Sequence, residues 1–306
     1  MTGTGDQSGS RRYAPRTAPA GFFDRTWDGR SSTFTALGHR FSVRGDDAHL
    51  VALLGSVFGD LKSDQPAETI YTIVDRGQPR DRFALYVGDE RVSMSSRRDR
   101  VVGILLWDVN RQATLRADNR LTLVHAAAAT LHGLAVVLPA PMESGKTTLV
   151  TGLVRGGFGY LSDEVAAFDP DSREVRPFPK ALSIDPGSWS LFPDLEPREP
   201  VTSNQWQVPV SRISAAVLAT AVPLGVVVAP CYVEGSGTRM TPVSRAEMLT
   251  VLISSAFHLG GRPQQHLDTL ADALSDAACF RLQIGRLDEA VHAVEDAVTD
   301  VVGART

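Results

Sequence analysis

Between Leu134 and Gly157 the chain lays down an apolar run, a loop ending in Ser144-Gly145-Lys146-Thr147, and a helical stretch that stops at two glycines. That unit constrains the fold more than any other. The run at 134–138 reads as an apolar strand leading into the loop, and the helix that follows is amphipathic. Residues Ala140-Pro141-Met142-Glu143-Ser144-Gly145-Lys146-Thr147 follow the pattern G-x-x-x-x-G-K-[ST] everywhere except at the first position. Each part has a physical reason. Consecutive backbone N–H groups at a helix start turn positive dipole ends toward phosphate. Gly145 lets the backbone come close, Lys146 reaches the outer phosphate oxygens, and the Thr147 hydroxyl suits Mg²⁺. Thr148 follows within the same helical start and joins the expected binding set. The expectation is a site for ATP with Mg²⁺; a chance match is the bland alternative, and strand, loop and helix in register weigh against it.

Two departures from the pattern have consequences. Ala140 stands where the first glycine belongs, and a positive φ there would cost roughly 1–2 kcal/mol. Pro141, however, pushes its predecessor toward an extended conformation that alanine tolerates. Glu143 brings a carboxylate to the loop; at about 4 Å and an effective dielectric of about 20, it would repel one phosphate charge by roughly 4 kcal/mol. Glu143 is therefore expected to point away from the nucleotide or to meet a cation.

Downstream, Asp163-Glu164 close the next strand-like segment, 158–162. An acidic residue at such a strand end can hold a metal, directly or through water, and a second can accept a proton from a hydroxyl; the bland reading is a solvated acidic turn. His125 stands in the otherwise apolar stretch Leu123-Val124-His125-Ala126, where a lone histidine is ordinarily a satisfied core residue.

Composition narrows the class. The chain has 306 residues, 43 % of them hydrophobic, enough for one large domain or two modest ones. A net charge of −4 gives no basic field for a nucleic-acid backbone. Cys231 and Cys279 are too few for a disulfide framework or metal cluster and read as buried free thiols. Arg11-Arg12 is followed by prolines and charges where an export signal needs an apolar core. The longest apolar run, 213–230, is interrupted by Ser214, Thr220, Pro223 and Gly225 and falls short of a membrane span. The expectation is a cytoplasmic protein with neither nucleic-acid nor membrane partners.

Residues 1–35, rich in Gly, Ser, Thr, Arg and Pro, read as a disordered tail whose aromatics leave room for docking. Residues 36–118 read as a small α+β domain: a helix over 47–61, strands at 41–43, 69–74, 83–87 and 91–94, and an apolar helix or strand at 101–110. Residues 119–306 alternate strand, loop and helix. His132-Gly133 reads as a hairpin turn, and Gly156-Gly157 as the stop of a helix begun near Lys146. Ser244 and Glu247 form a capping box, Pro263 opens a helix reaching to about Ala278, and apolar positions from Leu287 to Val301 line a last one.

Taken together, Leu123-Val124-His125, His132-Gly133, Val136-Val137-Leu138, Ser144-Gly145-Lys146-Thr147, Leu153-Val154-Arg155-Gly156 and Leu161-Ser162-Asp163-Glu164 resemble the C-terminal catalytic domain of the HPr kinase/phosphorylase family and its shorter bacterial relatives. The resemblance spans roughly residues 120–300. It implies an α/β fold, a P-loop domain of the HPr kinase and phosphoenolpyruvate carboxykinase-like type with a mixed sheet, preceded here by the small α+β domain. It also implies transfer of the γ-phosphoryl group of ATP to a hydroxyl, with serine of a protein or peptide as first choice. Carried over, Lys146 contacts phosphates, Thr147 ligates Mg²⁺, Glu164 is the acid/base carboxylate with Asp163 as its acidic neighbour and second metal candidate, and His125 lies near the transferred phosphate. Phe178-Pro179-Lys180-Ala181-Leu182-Ser183 is similar to a motif in which Lys180 faces the phosphates, and Arg239 lies where an active-site arginine is expected. The family's glutamate-centred motif is not recognisable, which argues against HPr itself as acceptor. The resemblance suggests a homo-oligomer. A small-molecule acceptor such as a sugar or nucleoside remains open, as does a regulatory module that binds nucleotide without transfer.

Overall fold

The computed structural model describes residues 16–141, 144–214, 220–257 and 261–305. The first sheet contains β1 (Arg16–Thr17), β2 (Gly29–Ala36), β3 (His39–Gly45), β4 (Lys62–Ser63), β5 (Thr69–Asp75), β6 (Phe83–Val87) and β7 (Glu90–Ser95), in the order β1-β7-β6-β5-β3-β2-β4. Helices α1 (Ala48–Val57) and α2 (Arg98–Arg116) pack against it. Asp47 starts α1 by accepting the Leu50 N–H, as an N-cap aspartate does. Leu37 and Gly38, both with positive φ, make the tight turn between β2 and β3. The run at 101–110 is helical, part of α2, with Val101, Val102, Leu105 and Val109 buried.

The expectation of a loose tail through residue 35 does not hold for residues 16–35. Strand β2 crosses that boundary and pairs with β3, and Trp27 is buried beneath the guanidinium groups of Arg25 and Arg44. Phe22 and Phe23 pack on Tyr86. A Gly- and Ser-rich composition hid this segment because its order comes from pairing with β3 and packing on Tyr86, not from apolar content of its own. Residues 1–15 lie outside the described residues.

The second sheet is mixed. It contains β8 (Thr122–Leu131), β9 (Leu134–Pro139), β10 (Gly159–Ser162), β11 (Val165–Phe168) and β12 (Glu174–Arg176). The short pair β13 (Leu182–Ile184) and β14 (Trp206–Val208) lies apart, and β15 (Val222–Tyr232), β16 (Arg239–Pro242) and β17 (Ala278–Ile284) complete the large sheet. Strand β9 runs antiparallel to β8 and parallel to β15, which runs parallel to β17. His132 and Gly133, at φ 51° and 77°, form the hairpin turn between β8 and β9. Helices α3 (Lys146–Arg155) and α6 (Leu287–Arg305) cover one face; α4 (Arg245–Ser254) and α5 (Pro263–Leu274) cover the other. Gly152 marks how closely α3 and α6 meet, because a Cβ there would come 2.9 Å from Leu287 Cδ1. Ser244 caps α4 as its pattern predicts, while α5 ends at Leu274, before β17 begins.

The two sheets share a core. Leu121, Leu123, Val165, Ala167, Phe178 and Ala181 join Phe41, Tyr71 and Leu105 in one buried cluster. Among the described residues, no helix is long and apolar enough to cross a membrane.

One group in this core predicts a response to acid. His39 is fully buried, with Nε2 3.2 Å from the Tyr71 hydroxyl, which itself donates to Asp108. Burial, helped by the charge of Arg116, pushes its pKa down to about 4 from 6.5. The unfolded chain takes up this proton near its ordinary pKa of about 6.5, the folded chain only near 4. The contribution is therefore whole above that upper value and is lost as pH falls through the window, by about 2–3 kcal/mol. Urea unfolding at pH 7 and pH 4 should show wild type losing about that much more than His39→Gln; parallel losses would refute it.

Candidate active site

Strand β9 ends at Pro139, and the chain returns into α3 through Gly145, whose φ of +88° makes it the left-handed N-cap of the helix. Glycine takes that conformation without penalty, whereas a side chain would be strained. Ala140 is buried and not among the residues of positive φ, so no glycine is required at that position. Met142 and Glu143 lie outside the described residues, and with them the expected orientation of Glu143.

Lys146 opens α3 and is 6 % exposed. Its ammonium donates to the carbonyls of Ala140 and Pro141, each at 2.6 Å, so the lysine bridges its own loop. Burial lowers its pKa, and the carboxylates of Glu164 and Asp163 oppose that shift. The Ser144 hydroxyl is buried without a hydrogen-bond partner. An orphaned donor in a loop whose helix turns N–H groups outward suits a phosphate oxygen. Thr147 is partly buried on the first turn of α3. The Thr148 hydroxyl lies 2.5 Å from that of Ser188 and is engaged there.

Asp163 and Glu164 occupy a two-residue break between β10 and β11. Both strands pair with the same neighbour, with Ser162 opposite Ala128 and Val165 opposite His125. The Ser162 hydroxyl accepts the N–H groups of Glu164 and Val165 and fixes the break. His125 Nδ1 is 3.1 Å from the Glu164 carbonyl and 3.7 Å from its carboxylate Oε1. A carbonyl only accepts, so the ring proton sits on Nδ1 and Nε2 keeps its lone pair. Burial, then the charge of Lys146, lowers the His125 pKa and favours the neutral ring. Its edge-to-face contact with Phe257 fixes the plane of the ring.

The two acidic neighbours are unlike. The Glu164 side chain is one-third exposed. That of Asp163 is 2 % exposed, with Oδ1 2.7 Å from the Lys180 ammonium and Oδ2 accepting the Ser183 N–H. Tyr160 adds a hydrogen bond to Oδ1. Lys180, expected to face phosphates, is thus buried against Asp163, and it also donates to Ala181 O and Ser183 Oγ. The pairing is invisible in sequence because it joins a strand end to a proline-rich turn. Arg239 begins β16 on the exposed sheet edge, opposite Gln283 of β17, and β17 and β15 separate that strand from β9.

The loop, Glu164 and His125 therefore form the candidate site, with the ion pair behind them. For Mg²⁺ the fit is partial. The Thr147 hydroxyl suits the ion, which takes few protein ligands and keeps several waters. Direct ligation by Asp163 would have to displace Lys180, so Asp163 suits at most a water-mediated role. Among the described residues no group of three or more His, Cys, Asp or Glu side chains is placed to hold a metal. Two open clefts, of about 580 and 420 Å³, lie against the first sheet.

No family model matches the sequence, and no curated protein matches it. Among solved structures, the chain is similar to the Hpr(Ser) kinase/phosphatase from Coxiella burnetii, at 12 % identity over 58 % of this chain and 94 % of that one, with a TM-score of 0.30. A likeness this distant carries no weight for what the site does.

Proposed function

We propose that this protein is an ATP-dependent phosphotransferase that moves the γ-phosphoryl group to a hydroxyl, with serine of a protein or peptide as the acceptor class. The observation that carries this reading is the gathering of three unlike groups: a buried lysine at the head of α3, a half-buried carboxylate and a neutral histidine. Phosphoryl transfer asks for little covalent chemistry from a protein, and positioning and charge stabilisation supply most of the rate. The β- and γ-phosphates lie on residues 144–147, where their oxygens replace the carbonyls of Ala140 and Pro141 as partners of the Lys146 ammonium. The acceptor oxygen attacks the γ-phosphorus in line. As that bond forms, the bond from phosphorus to the bridging oxygen breaks, and ADP leaves with the electron pair. The hydroxyl proton passes to the Glu164 carboxylate, which His125 flanks. Thr147 is the residue that would hold Mg²⁺, and the ion would supply charge neutralisation.

The test is transfer from γ-labelled ATP, with Mg²⁺, into a cell lysate and into serine peptides, with the label traced in protein and small-molecule fractions. Lys146→Ala should reduce labelling by about 10²–10³-fold. Equal labelling by that variant would refute the reading, and label confined to metabolites would move the acceptor class to small-molecule hydroxyls. ATP binding without any label would favour a regulatory module.

A further inference from the structure

Resting on that reading, we infer that Tyr232 and Val233 form the surface on which the nucleobase settles, with the Tyr232 ring stacked on the base. A triphosphate held at residues 144–147 places its base one ribose beyond the α-phosphate, against whatever borders the loop. Tyr232 borders it directly: its N–H donates to the Ser144 carbonyl at 3.3 Å, and its Cβ lies 3.6 Å from where a side chain on Gly145 would begin. Both apolar side chains nonetheless face solvent, Tyr232 at 55 % and Val233 at 40 % exposure.

Single exposed apolar residues are ordinary on protein surfaces. These two sit together at the end of β15 on a turn that is firmly held. The Val233 carbonyl accepts the Ser236 N–H and hydroxyl, Gln283 donates to Gly237 O, and the Thr238 hydroxyl accepts the N–H groups of Gly285 and Arg286. Gly285 is required beneath the turn, since a Cβ there would lie 2.0 Å from the Ser236 carbonyl. A rigid aromatic beside a phosphate site is a ready stacking platform, and stacking tolerates any base because every base has a π-face. The site should therefore bind ATP and GTP with similar strength.

Calorimetry of the full chain with Mg·ATP and with Mg·tripolyphosphate, which lacks base and ribose, separates the stack from the phosphate site. Tyr232→Ala should weaken ATP about 5- to 150-fold and leave tripolyphosphate unchanged, with Tyr232→Phe retaining wild-type affinity. Equal weakening of both ligands would make Tyr232 a support of the loop and overturn the inference. So would unchanged ATP affinity in Tyr232→Ala, or a loss seen instead in Leu191→Ala, an exposed apolar residue of the turn whose Ser188 meets Thr148 of α3. If wild type binds neither ligand, the phosphate site itself is refuted, and the stacking surface with it.

Discussion

Glu164→Gln lowers kcat for phosphoryl transfer by about 10²–10⁴-fold and leaves the affinity for Mg·ATP near its wild-type value. Glutamine keeps the length and hydrogen-bonding capacity of glutamate but cannot take the hydroxyl proton. The backbone carbonyl of residue 164 still accepts from His125 Nδ1, so the ring should stay where it is. The loss should fall on the chemical step, visible in single-turnover rates, with no change in the urea midpoint. A variant that transferred at the wild-type rate would remove Glu164 from the mechanism and leave His125 Nε2 as the next proton acceptor to test. Asp163 differs in kind: its carboxylate is enclosed by Lys180, Ser183 and Tyr160, so Asp163→Asn should disturb folding and activity together.

Lys180→Met destabilises the protein by about 3–5 kcal/mol, because it leaves a 2 %-exposed carboxylate without its cation. Coulomb attraction between buried ions roughly offsets what their dehydration costs, so the intact pair adds little net stability. Removing one member is what is expensive. Asp163→Asn/Lys180→Met should accordingly be more stable than the two single changes summed, with a coupling of about 0.5–3 kcal/mol in urea unfolding. If Lys180→Met unfolded at the wild-type urea concentration, the pair would have no such role. The pair also ties the turn at 177–183 to the break that carries Glu164, so the single variants should transfer phosphate slowly even when folded.

What was legible in the sequence was what is locally encoded. The helix beginning at Lys146 and ending at Arg155, the left-handed turn at His132-Gly133 and the Ser244 cap all follow from neighbours a few residues apart. Strand β2 was missed: its sequence Gly-Arg-Ser-Ser-Thr-Phe-Thr-Ala carries too little apolar character to stand out, and its order depends on pairing with β3 and β4. The alternation of Phe34 and Ala36, followed by Leu37-Gly38, was the available signal. Lys180 was assigned to phosphate because it is basic and near the right motif, yet pairing it with Asp163 needs the path of a proline-rich turn that no periodicity describes. The exposure of Tyr232 is likewise illegible, because one aromatic in an apolar run looks like core.

The seat of the loop is written late in the sequence. Strand β9 lies beside β15, with Val137 opposite Val227; β15 lies beside β17, with Val228 opposite Phe280; and α3 rests on α6 through Gly152 and Leu287. When Thr147 has just been added to the chain, only β8 flanks β9, and β15, β17 and α6 must still be made before the rest of the loop's support exists. Until then Leu149 and Leu153 of α3 and the unpaired edge of β9 are open to water and to other nascent chains. Such distant pairings also make assembly slow. The half-made chain is thus a natural client for chaperones.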